Sequence, residues 1–200
     1  MALIDSTYFT GELLITDKGA IAADLQQAID QYEPEIIKSA LGYKIYKEVI
    51  KTEAELVEPY KSLVEGAEFE IEINGELMLM KWDGLVNTQK KSFIANYVYY
   101  SYNKRNYIKP SQVGANQPKA KNTVMVSPYP KMVSAWNSMV EMYGMFPNSW
   151  FRDSKFPITK PDGSNIYTND PSLYNYMCAN IDKFPDWIFT PIRTINEFGI

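Results

Sequence analysis

Apolar positions in this chain recur mostly at helical intervals, and one stretch alternates instead. Ile21, Leu25, Ala28, Ile29 and Tyr32 fall on one helix face, and Thr16 or Asp17 supplies a side-chain oxygen to cap its first turn. Pro34 lacks an amide hydrogen and disfavours helix at Glu33, so a stop or kink is predicted there. A second helix, PEIIKSAL, starts on that proline and ends at Gly42. A short helix, YKIYKEVI, follows from Tyr43. Another lies in EAELVEPYKSLVEG, interrupted or started at Pro59 and closed by Gly66.

The alternating stretch is EFEIEINGELMLMKW, from Glu68 to Trp82. A two-residue Asn74-Gly75 loop favours a type I′ hairpin turn. That turn pairs Ile73 with Glu76, Ile71 with Met78 and Phe69 with Met80. Phe69, Ile71, Ile73, Met78, Met80 and Trp82 then share a face suited to packing on helices. The other face sets Glu68, Glu70 and Glu72 opposite Lys81, Leu79 and Leu77. Leu77 and Leu79 would stand bare beside acids in a lone subunit. An isolated two-stranded hairpin is marginal and leaves open strand edges.

The longest helix is predicted from about Leu85 to Tyr107. Phe93, Ile94, Tyr97, Val98 and Ser101 form its seam, and Tyr99, Tyr100 and Tyr102 widen it. A helix apolar on most sides is buried on most sides, so this one is placed at the centre. Residues 108–127 form a long loop without periodicity, whose NTVMV end could become a strand on docking. A helix from about Tyr129 to Tyr143 presents Met132, Trp136, Met139, Val140 and Tyr143, and Gly144 ends it. Beyond it lies an irregular stretch with a PDGS turn, then a short helix capped by Asp170 with Pro171 at its first position. The tail carries Trp187, Ile188, Phe189, Ile192, Ile195, Phe198 and Ile200, and is predicted to dock on its own body or on a neighbour.

The predicted fold class is therefore mainly α: a small helical bundle with one β-hairpin (about 67–82) and extended N- and C-terminal arms. Residues 1–16 form an N-terminal arm, expected to be extended or a short strand. Residues 17–145 form the helical domain with the hairpin and loop 108–127. Residues 146–200 form an irregular extension, a short helix and a docking arm.

Composition narrows the chemistry. The chain has no histidine and a single cysteine, Cys178. A histidine-dependent triad, a Cys/His zinc site and an internal disulfide are thereby excluded. No GxxxxGK[ST] loop is present. Cys178 lies mid-helix between Met177 and Ala179 and is expected in the core. Acids such as Glu33, Glu35, Glu68, Glu70 and Glu72 are expected on solvated faces rather than paired for catalysis. No catalytic, cofactor or metal residue is assigned, and the chain is not expected to be an enzyme. It lacks a basic, apolar leader and any run near the ~20 apolar residues of a membrane span, so a soluble intracellular protein is expected.

Charge is segregated. From Gly84 to Val140 there is no acid, but eight bases: Lys90, Lys91, Lys104, Arg105, Lys109, Lys119, Lys121 and Lys131. All 24 acids lie elsewhere, within a net charge of −4. Such segregation can mark nucleic-acid binding, can align neighbouring copies, or can be scattered in space without consequence. The stretch YYSYNKRNYIK combines rings with bases, the recipe for binding single strands. Fifteen tyrosines suit either interfaces or ordinary helix seams.

The run LQQAIDQYEPEIIKSALGYKIYKEVI, through Tyr32, Glu33, Leu41, Gly42, Tyr43 and Tyr46, resembles the N-terminal helical segment of tailed-bacteriophage head–tail connector (adaptor or ring) proteins. Trp82-Asp83-Gly84-Leu85 and the terminal Asn196-Glu197-Phe198-Gly199-Ile200 look like connectors of crAss-like phages. The likeness covers about residues 17–107 and rests on packing motifs.

The resemblance implies a structural virion protein made in the host cytoplasm and sited at the head–tail junction. Identical subunits would form a ring, usually a dodecamer, beneath the portal protein. That ring would extend the channel for double-stranded DNA, without sequence-specific binding, and offer a platform to the next tail or ring component. No membrane partner is implied. Residues assigned to partner interfaces are Leu77, Leu79, Lys104, Arg105, Lys119, Lys121, Trp187, Phe189, Phe198 and Ile200. The alternative is a nucleic-acid-binding accessory protein using segment 84–140.

Overall fold

A computed structural model describes residues 2–15, 20–73, 76–107, 109–111, 114–116, 129–144, 158–159, 165–166 and 171–196. The fold is mainly helical with one long hairpin. Helix α1 spans Ala20–Val49 and α2 Tyr60–Glu65. The hairpin is β1 (Ala67–Ile73) with β2 (Glu76–Trp82). Helix α3 spans Phe93–Tyr107, α4 Tyr129–Tyr143 and α5 Leu173–Ala179. There are also two short antiparallel ladders: β3 (Lys109–Ser111) with β4 (Gly114–Asn116), and β5 (Ile158–Thr159) with β6 (Asn165–Ile166).

Helix α3 lies at the centre, packed against α1 on one side and α4 on the other. Its Phe93, Ile94, Ala95 and Val98 are buried, and so are Tyr99 and Tyr102 on the widened flank. The helix is shorter at its N-terminus than its periodicity predicts. Residues 85–92 are held in a non-helical bracket: Asn87 Nδ2 donates to the Lys91 carbonyl (2.6 Å), and Lys91 N donates to Asn87 Oδ1 (3.1 Å). Lys90 has a φ of 58°, and Ser92 Oγ accepts from Ile94 N as the cap.

Helix α1 runs through Pro34 instead of stopping there. Ala28, Ile29 and Glu33 before the proline, and Ile36, Ile37, Ala40 and Leu41 after it, are all buried along one continuous face. Burial of that face outweighs the one hydrogen bond that proline omits. The break comes at Gly42, whose φ of 80° and ψ of 162° lie outside the helical region.

The hairpin register agrees with the alternation in the sequence: Ile73 faces Glu76, Ile71 faces Met78, and Phe69 faces Met80. Phe69 and Trp82 are buried against Tyr176 of α5, at 5.3 Å edge-on and 5.5 Å stacked between ring centroids. Trp82 Nε1 donates to the Leu63 carbonyl (2.9 Å), which ties β2 to α2. At the hairpin base, Leu85 N and Val86 N donate to the carbonyls of Leu63 and Val64. Gly66 and Gly84 let these backbones meet. Both have positive φ, and a Cβ on Gly84 would stand 2.5 Å from the Val64 carbonyl oxygen.

The described terminal segments, 2–15 and 180–196, are tied to the body. Residues 2–15 form two 3-10 turns, Ser6–Tyr8 and Gly11–Leu13, in place of the expected extended arm or strand. They bury Ile4, Tyr8 and Phe9. Helix α5 is capped by Ser172, which accepts from Asn175 N; the predicted cap, Asp170, lies outside the described residues. So do Thr16, Asp17, the Asn74-Gly75 turn, NTVMV and PDGS. Among the described residues, no helix is long and apolar enough to cross a membrane.

Candidate functional site

Two surfaces carry the residues singled out above. The first is the outer face of the hairpin. Period-two geometry turns Glu68, Glu70, Leu79 and Lys81 away from the Phe69/Met80/Trp82 face, and all four are exposed. Leu79 is 66% exposed, high for a leucine beside acids. Glu72 and Leu77 are a register pair further along the ladder. The exposed glutamates agree with the sequence expectation.

The second surface is an open groove of about 390 Å³ among α1, α3 and α4. Tyr97, Tyr100, Ser101, Lys104 and Arg105 come from α3 at intervals of three and four, so one helix face delivers all five. Tyr32 and Glu35 of α1 and Trp136 of α4 complete it. Trp136 lies 4.7 Å from Tyr100 and 6.3 Å from Tyr97, centroid to centroid. Tyr97 donates its hydroxyl to Glu35 (2.7 Å), and burial, then this carboxylate, raises its pKa. Lys104 Nζ lies 5.7 Å from the Tyr100 ring centroid, and Arg105 5.9 Å from that of Tyr102. Among the described residues, neither base forms an ion pair.

Of the tail residues assigned to partner interfaces, Trp187 and Phe189 make contacts within their own chain. Trp187 is buried in its own chain, and its Nε1 donates to the Ala40 carbonyl (3.0 Å). Phe189 is half-buried and stacks on Tyr143 at 5.4 Å. Further along, Trp136 Nε1 donates to the Arg193 carbonyl, Tyr143 donates to the Thr190 carbonyl, and Asn137 both donates to and accepts from the Ile195 backbone. Of the two predicted docking places, the described tail takes its own body. Ile188 remains 80% exposed. Lys119, Lys121, Phe198 and Ile200 lie outside the described residues, and Leu77 is placed by its register alone.

Two assignments of polar residues change. Cys178, expected in the core, is exposed. Glu33, expected in solvent, is buried and only 3% exposed. Its carboxylate accepts from Leu3 N (2.8 Å) and Ile4 N (2.9 Å), which pins the N-terminal arm to α1. Burial raises its pKa despite these two hydrogen bonds. The available signal was weak: Glu33 is in helical phase with buried Ile29, Ile36 and Ile37. Tyr176, beneath the hairpin, is pushed up to about 12, mainly by burial.

Among the described residues, no group of His, Cys, Asp and Glu could hold a metal ion. Both surfaces offer groups suited to binding. One offers an exposed leucine between acids, and the other offers aromatic walls under two cations. Comparison with family models, curated proteins and solved structures finds no match to this chain.

Proposed function

We propose that this chain is a structural subunit of a head–tail connector ring in a tailed bacteriophage. Identical copies close into a ring, a dodecamer by the resemblance, that binds the portal protein and receives the next tail or ring component. Double-stranded DNA passes through the lumen without sequence-specific contacts. The subunit works without a catalytic step or a cofactor, and its place is the head–tail junction of the virion.

One observation carries this reading. Phe69 and Trp82 of the hairpin's inner face pack on Tyr176, while its outer face leaves Leu79 bare among charges. An exposed strand edge carrying an uncovered apolar side chain favours a protein partner. The charge segregation in the sequence supports association of copies through unlike sides. The test is mass in solution at high concentration, alone and with the portal protein encoded in the same genome. Assembly in either arm supports the reading. A monomer that also ignores the portal refutes it.

A second reading, a nucleic-acid-binding accessory protein, is favoured by the same groove, where Tyr100 and Trp136 meet Lys104 and Arg105. It predicts a gel shift with short single-stranded oligonucleotides that weakens steeply with salt.

A further inference from the structure

The acidic hairpin and the basic groove are built on different elements of one subunit. The hairpin rests on α2 and α5, whereas the groove is walled by α1, α3 and α4. Complementary patches on different parts of one molecule make a head-to-tail contact, which repeats from copy to copy. We propose that the outer face of the hairpin of one copy seats in the aromatic groove of the next, with Leu79 against Tyr100 and Trp136, and Glu70 against Lys104. This inference rests on the ring reading above and names its contact.

Three observations favour a second copy as the occupant. The first is charge. Glu68 and Glu70 are exposed on the hairpin, and Lys104 and Arg105 border the groove without an acidic partner among the described residues. The second is apolar content. Leu79 is exposed and unfilled on one side, while Tyr100 and Trp136 offer ring surface 4.7 Å apart on the other. The third is spacing. Glu70 and Leu79 are a direct cross-strand pair, so their Cβ atoms stand about 4.5–5.5 Å apart and both side chains leave the same face. The groove sets its cation and its ring at a matching separation, with Lys104 Nζ 5.7 Å from the Tyr100 centroid. A leucine on the ring therefore brings its glutamate to the ammonium.

Glu35 lines the same groove and keeps its negative charge while accepting the Tyr97 hydroxyl, and Lys104 and Arg105 outnumber it. Lys81 shares the hairpin face and pairs with Glu68, one ladder step from Glu70 on the same side, so Glu70 is the acid facing the cation.

The experiment uses the full chain with Glu70→Lys, with Lys104→Glu, and with the two variants mixed. All are read by sedimentation velocity over a concentration series, and far-ultraviolet circular dichroism checks the fold. Both positions are exposed, so both variants remain folded. Each single reversal is expected to weaken self-association at least about tenfold, equal to about 1.4 kcal/mol, and the equimolar mixture is expected to restore it. A general charge effect behaves differently. From a net charge of −4, Glu70→Lys moves the chain toward neutrality and Lys104→Glu moves it away, so their effects would be opposite.

A wild-type protein that associates but ignores both reversals overturns the hairpin–groove contact and leaves the ring reading standing. A wild-type protein that is monomeric alone yet binds the portal overturns it in the same way. Monomers in both arms overturn contact and ring together. Binding of a labelled single-stranded oligonucleotide that is lost in Lys104→Glu alone, with self-association unchanged, assigns the groove to nucleic acid and overturns the contact.

Discussion

Replacing Glu33 with alanine tests how the N-terminal arm is held. The carboxylate receives the amides of Leu3 and Ile4, and the alanine has no acceptor for either. Ile4 is buried, so water does not replace the lost partner. An unsatisfied buried donor costs about 1–3 kcal/mol, and the part-buried Leu3 amide adds less than a second such penalty. Removing the buried charge returns part of this, which places the expected loss toward the lower half of that range. In a chain of 200 residues each kcal/mol moves the melting temperature by about 2–4 °C.

Glu33→Gln removes the charge and one of the two acceptors, because Oε1 receives Leu3 N, Oε2 receives Ile4 N, and an amide nitrogen cannot accept. Burial raises the Glu33 pKa above its ordinary 4.5, so protonation favours the folded state. The contribution of this group is fully present below pH 4.5 and is lost as pH rises through the raised folded value. Glu33→Gln should therefore be less stable than wild type at pH 4, where one amide acceptor is missing, and that deficit should shrink toward pH 7 as the wild-type contribution is lost. Thermal denaturation monitored by circular dichroism at several pH values measures both effects. An alanine variant that melts with wild type, or a glutamine variant whose difference from wild type is independent of pH, would refute the reasoning.

Three further outcomes follow from the packing. Trp187→Ala should cost about 3–5 kcal/mol in urea denaturation, because a buried indole hydrogen-bonded to the Ala40 carbonyl is removed; a loss below 1 kcal/mol would show that the tail is not core. Gly84→Ala should destabilise by several kcal/mol, since its φ of +89° is unfavourable for alanine and the added Cβ meets the Val64 carbonyl oxygen at 2.5 Å; an unchanged denaturation midpoint would contradict the close approach. Leu77→Glu combined with Leu79→Glu should leave a folded chain that no longer assembles, and undiminished assembly in native mass spectrometry would count against the ring.

Some of this structure was legible along the chain because its causes are local. Alternation from Glu68 with a two-residue Asn-Gly spacer determined the hairpin register, since slipping one position would turn Phe69 and Trp82 outward. The 3.6-residue spacing of Met132, Met139, Val140 and Tyr143 determined the buried face of α4. The bases of α3 were visible as Lys104 and Arg105, but the groove they border was not, because Trp136 and Glu35 come from other helices.

Only the tertiary structure decided whether proline or packing prevails at residue 34, where the local penalty is set against a buried face continuous across it. It also decided the role of Glu33. A glutamate is read as solvated until the segment that covers it is known, and here that segment is Leu3 and Ile4, about thirty residues earlier in sequence. The tail shows the same division. Its apolar content determined that it must be covered, and the site of that covering depended on Ala40, Asn137 and Tyr143 presenting matching groups. Periodicity records what each segment must hide; what hides it is a property of distant residues meeting in space.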